Sequence, residues 1–161
     1  MSISKKVFSK NYSNLILLRN KILNLKNKKY RDFFIIALCC ILEEVGTAKK
    51  DGNGLKYPKS KKVRDLKECF EAQFKKMLKD IKLSEQVSAP QSTIIKADSR
   101  KISKNQMNRI KGKAELVIFS PPYANCFDYT EVYKLELWVS GQIQEYENLK
   151  KIRENSLSSH L

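Results

Sequence analysis

The chain has 161 residues, and its 32 lysines and arginines outnumber its 17 aspartates and glutamates for a net charge of +15. That length suits one domain with a core that needs no staples, and 42% hydrophobic with 30% charged residues excludes a disordered chain. No apolar run reaches the roughly 18 residues of a membrane span, the N-terminus MSISKKVFSK lacks an apolar signal segment, and a cytoplasmic location without a membrane partner is expected. Cys39, Cys40, Cys69 and Cys126 show no metal-ligand spacing, and the lone histidine is His160. The pattern predicts free thiols, no bound metal and no His-based catalytic triad.

The charge is uneven. Residues 1–82 hold 21 basic and 8 acidic side chains, residues 83–161 hold 11 and 9. A positive field over the first half favours a polyanion, of which nucleic acid is the commonest. A solvated lysine-rich surface accounts for the same numbers.

In chain order, residues 11–28 place Leu15, Leu18, Ile22 and Leu25 on one helical face. Residues 31–45 predict a more apolar helix, central to a core. Residues 46–61 hold three of the five glycines and five lysines and read as a basic, flexible loop. Residues 62–82 predict a helix with Leu66, Phe70, Phe74, Met77, Leu78 and Ile81 as a core stripe. Residues 84–92, with Pro90, read as a linker. Then the periodicity changes: 93–97 predicts a strand ending at Asp98, 103–110 a short helix, and 114–119 a second, buried parallel strand. Helices are expected over 130–139 and 143–154. The expected organisation is a basic helical region over 1–88 and a partial α/β region over 89–161.

The chemistry-bearing stretch is Ser120-Pro121-Pro122-Tyr123, directly after the second predicted strand. In α/β sheets ligands lie outside the carboxyl ends of the strands. Two prolines stiffen the turn and keep it out of helix, which frees the carbonyls of Ser120 and Pro121 to face a ligand. Tyr123 adds a flat ring. The set suits a planar group carrying an amine; a proline turn capped by a core tyrosine is the plainer alternative.

This motif resembles that of the amino-group DNA methyltransferases, which carry Ser, Asp or Asn before Pro-Pro-Tyr. The stretch LVIFSPPYANCFDYTEVYKLELW (116–138) is similar to a bacterial and archaeal subgroup, and weaker similarity extends over 31–54, 94–100 and 147–160. The resemblance implies a partial Rossmann-like, S-adenosylmethionine-dependent methyltransferase sheet preceded by a helical region. It implies methyl transfer to an exocyclic amine of a DNA base, N4 of cytosine being favoured by the Ser form, as in the modification half of a restriction–modification pair. Ser120 and the Pro121 carbonyl would accept the amine's protons, Pro122 would stiffen the turn, and Tyr123 would stack on a flipped base. Asp98, with Ser120, would bound the cofactor pocket, although Asp98 reads equally as a helix N-cap. Asp128 and Tyr129 would line the pocket entrance, or serve as a helix cap and a packed ring. Lys49, Lys50, Lys56, Lys59, Lys61 and Lys62 would contact DNA phosphate, or form a solvated loop. Cys126 reads as packing.

One element of the family pattern is absent. The family's cofactor loop is a Phe-x-Gly-x-Gly turn after an apolar strand, whereas Gly52-Asn53-Gly54 follows a lysine-rich stretch. The expectation is therefore a partial enzyme that begins downstream of that loop, stops before the last strands, and draws the loop from a second chain. A nucleic-acid-binding module without catalysis, or part of an RNA or protein methyltransferase, are the alternatives.

Overall fold

The computed structural model describes residues 2–52, 54–85, 94, 95, 97, 103–108, 111, 112, 115–120 and 128–155. Its helices are α1 (Ser2–Val7), α2 (Tyr12–Leu23), α3 (Lys28–Cys40), α4 (Leu42–Val45), α5 (Leu66–Ser84), α6 (Lys104–Asn108), α7 (Tyr129–Val132), α8 (Lys134–Val139) and α9 (Tyr146–Glu154). Between α4 and α5 lies an antiparallel hairpin of β1 (Lys49–Asp51) and β2 (Gly54–Lys56).

Local chemistry sets the helix boundaries. Asn27 caps α3, its side chain accepting from the backbone N–H of Lys29 and Tyr30 at 2.9 and 3.3 Å. Asp65 caps α5 in the same way, through Lys67 and Glu68. These oxygens satisfy donors that have no partner within the helix. Gly141 stops α8 at φ 80°, a left-handed turn that a Cβ would resist.

Helix α3 is the hub, in contact with α2, α4, α5 and α8. Phe34 stacks on Phe74 of α5 at 5.7 Å, and Phe33 meets the same ring edge-on at 5.9 Å. One buried cluster runs from Val7, Phe8 and Leu15 through Leu38, Leu42 and Val45 to Leu66, Leu135, Trp138, Val139 and Leu149. Residues from both sides of position 88 thus share this core. Arg19 reinforces the join: its Nη2 donates to the Trp138 carbonyl at 3.0 Å, its Nε to that of Val139 at 3.0 Å, and its guanidinium lies over the Trp138 ring. Asn11 is 2% exposed; its side-chain amide donates to the carbonyls of Val45 and Arg64, tying the start of α2, the end of α4 and the approach to α5 at one point.

Two expectations differ from this picture. The stripe on α5, a helix of about 28 Å, is core only at its start: Leu66 is buried and Phe70 and Phe74 pack on α3, Met77 is half-buried, and Leu78 and Ile81 are exposed. The parallel strands expected at 93–97 and 114–119 are not formed by the described residues of those segments, among which the only sheet is the β1–β2 hairpin. A buried parallel strand needs a neighbour at its edge and cover on both faces, and the described residues supply neither. Among them no helix is long and apolar enough to cross a membrane, and no group of metal-ligating side chains gathers.

Candidate nucleic-acid interface

Ser120 closes an exposed stretch, 115–120, without regular structure. Leu116, Val117, Ile118 and Phe119 are each 74–87% exposed. Four consecutive apolar side chains therefore face solvent immediately before the Pro-Pro-Tyr segment. Pro121, Pro122, Tyr123, Cys126, Asp98 and His160 lie outside the described residues.

The chain beyond that segment is held tightly. Asp128 caps α7, accepting from the Thr130 backbone N–H at 2.8 Å and from its hydroxyl at 2.6 Å. Arg153 of α9 then bridges two carboxylates: its Nε lies 2.7 Å from Asp128 and its Nη2 2.6 Å from Glu131, which also pairs with Lys134 at 2.9 Å. Burial pushes the Asp128 carboxyl up, but the Thr130 hydroxyl and N–H and the Arg153 guanidinium outweigh it and hold the group below its ordinary value. Glu131 is lowered likewise, burial being outweighed by Lys134 and Arg153. Asp128 thus serves as the helix cap that was the other reading of this position, and pairs with Arg153 as well. Tyr129 remains exposed, nearly parallel to Tyr133 with ring centroids 6.5 Å apart.

The six lysines expected on phosphate divide into two groups. Lys50 pairs with Glu136 and sits 4.4 Å from the Tyr133 ring centre. Lys61 turns inward and donates to the carbonyls of Glu43 and Ala48, closing the hairpin onto α4. Burial pushes its ammonium below the usual lysine value, against the pull of Glu43. Lys56 pairs with Asp51 across the hairpin. Lys50, Lys56 and Lys61 are therefore engaged within the chain, which narrows the expected phosphate set to Lys49, Lys59 and Lys62, all exposed. Lys49 lies directly opposite Lys56 in the hairpin register, and Lys56 is itself paired with Asp51.

Gly52 and Gly54 belong to the tight turn and second strand of this hairpin, Gly52 at φ 49°. They form no strand-to-helix turn of the kind that receives a dinucleotide-like cofactor. Among the described residues, this hairpin does not serve as an S-adenosylmethionine loop.

Sequence reasoning missed Arg153 and Glu136. Arg153 sits in a helix with the ordinary charge pattern of a solvated surface, and only folding brings it to Asp128, 25 positions earlier. Cys39 is thiol rather than thiolate, its pKa pushed up to about 12 by burial and by Glu136. No family model, curated protein or solved structure matches this chain.

Proposed function

We propose that this chain is the target-base portion of an SPPY-type amino-methyltransferase acting on DNA, with N4 of cytosine as the favoured acceptor, and that it works together with further polypeptide that completes the sheet and brings the cofactor loop. The observation that carries the reading is the exposure of Leu116–Phe119 directly before Ser120. A run apolar on both faces, with nothing over it, is what an interior parallel strand looks like before its neighbours arrive. The partial Rossmann-like architecture belongs to that completed assembly.

In this reading Ser120 and the Pro121 carbonyl accept the protons of the amine and aim its lone pair. Pro121 and Pro122 hold the turn extended, and Tyr123 stacks on the extruded base. Arg153 anchors Asp128, which stands five residues beyond Tyr123 in the sequence. Lys49, Lys59 and Lys62 supply phosphate contacts that position the duplex and carry no sequence information. S-adenosylmethionine would supply the methyl group, and since the residues described here lack its loop, no step through it is assigned to them.

The test is expression of the chain together with a polypeptide that carries a Phe-x-Gly-x-Gly loop after an apolar strand, followed by mass spectrometry of DNA nucleosides. N4-methylcytosine is expected, and its loss in Tyr123→Ala. Absence of any methylated nucleoside refutes the catalytic reading. The second reading, nucleic-acid binding without catalysis, draws on the three exposed lysines Lys49, Lys59 and Lys62. It is retained if duplex DNA binding persists without methylation, with the salt slope falling by about 0.9 for each of Lys49, Lys59 and Lys62 changed to Gln.

A further inference from the structure

A cavity of about 420 Å³ opens between α3 and α8, with Lys50 of β1 contributing to its lining. That volume falls within the range of small-molecule sites. Ile35 and Leu137 give it apolar wall, Tyr133 an aromatic one, Cys40 lies on its exposed side, and Lys50 and Glu136 bring charge.

Glu136 is the unusual member. One carboxylate oxygen pairs with Lys50, whose ammonium also lies over Tyr133. The other, Oε2, is buried and has no hydrogen-bond partner among the described residues. A buried carboxylate oxygen without a donor is costly and calls for one. The last torsion of a glutamate is soft, so the carboxylate of this lining residue can turn to meet a donor that enters the cavity.

The charge balance selects the donor. Glu136 is already neutralised by Lys50, so a cationic ligand would meet the Lys50 ammonium and an anionic one the carboxylate. A neutral donor meets neither objection. The Tyr133 ring and the apolar walls favour a flat molecule.

We infer that this cleft binds a neutral, planar heterocycle carrying an exocyclic amine, an amino-nucleobase, with the amine donating to Glu136 and the ring lying against the wall formed by Tyr133, Ile35 and Leu137. The inference stands without the methyl-transfer reading, because it requires neither Ser120-Pro-Pro-Tyr nor a cofactor.

The experiment is titration calorimetry of the full chain with cytidine and with uridine, which differ in carrying an amine or a carbonyl at the same ring position; adenosine and inosine form a second such pair. The amine-bearing member of at least one pair should bind at least tenfold more tightly than its partner. Glu136→Gln should reverse the preference: the amide oxygen turns to Lys50, its NH₂ faces the cavity, and a carbonyl ligand then fits better. Cys40→Phe, at an exposed lining position, should fill the cleft and remove binding while leaving the thermal transition in place. Equal binding within both pairs, no binding at millimolar concentration, or undiminished binding by a folded Cys40→Phe chain would each overturn the assignment.

Discussion

Replacing Arg153 by methionine keeps the aliphatic stem and removes the guanidinium that joins α9 to α7. The side chain makes two ion pairs, at 2.7 Å to Asp128 and 2.6 Å to Glu131, and a 3.3 Å hydrogen bond to the Thr130 hydroxyl. Arg153 is 36% exposed, so solvent screens these contacts, and each of the two ion pairs is worth roughly 1 kcal/mol rather than the value of a buried pair. The carboxylates left behind keep Thr130 and Lys134 as partners, which limits the further penalty. The expected loss is about 2 kcal/mol at neutral pH. Its pH dependence follows from the lowered values of Asp128 and Glu131. A carboxyl that titrates lower in the folded than in the unfolded chain stabilises fully above its unfolded value, and that contribution fades as pH falls through the folded one. The gap between parent and variant should therefore be full above about pH 5 and should shrink toward about pH 3. Urea unfolding followed by the fluorescence of the single tryptophan, Trp138, which sits in the core, measures both. A loss below about 0.5 kcal/mol, the level of an ordinary surface change, or a gap unchanged across that pH range, would refute the reasoning.

Asn11→Ala should cost about 2–3 kcal/mol, because it strands the carbonyls of Val45 and Arg64, which the amide now holds at 2.9 and 2.8 Å; denaturant titration checks it. Gly46→Ala should destabilise by roughly 1–3 kcal/mol through overpacking. Its Cβ would stand 2.7 Å from the ring of buried Phe8 and 3.0 Å from the Leu42 carbonyl, at a φ of −120° that any residue adopts, so the cost is steric. Among Cys39, Cys40 and Cys69, iodoacetamide should label exposed Cys40 first. Cys39 should lag because its thiol, pushed up to about 12, yields little thiolate at neutral pH, and buried Cys69 is raised as well. Peptide mapping at short reaction times reads the order.

The helices were legible because their periodicity is local. The spans of α2, α3, α5 and α9 follow the expected ones within about five residues, whereas the caps Asn27 and Asp65 fall inside the helices expected over 11–28 and 62–82 and were not read as boundaries. The hairpin was not. Asp51-Gly52 is a turn signal, but its strands are three residues long and mostly charged, so they carry no alternating apolar pattern. The fate of each lysine was also hidden, since composition cannot tell Lys61, bound to two carbonyls, from Lys62, left in solvent. The apolar run Leu116–Phe119 reads as a strand from its residue types, yet strand formation depends on partners at its edges, and that information is not local. For the candidate site, the type of residue was visible at Asp128 and Tyr129, but the Arg153 tie that fixes their position spans two helices.

The bond from Arg19 to the carbonyls of Trp138 and Val139 joins residues about 120 positions apart. Together with the shared core, it makes the helical platform a clasp that holds the helices up to α5 against those from α7 onward. A backbone cut at exposed Gly112 should accordingly yield two pieces that stay together, each bringing half of the clasp, so that the segment bearing the motif could be exchanged or lengthened as a cassette.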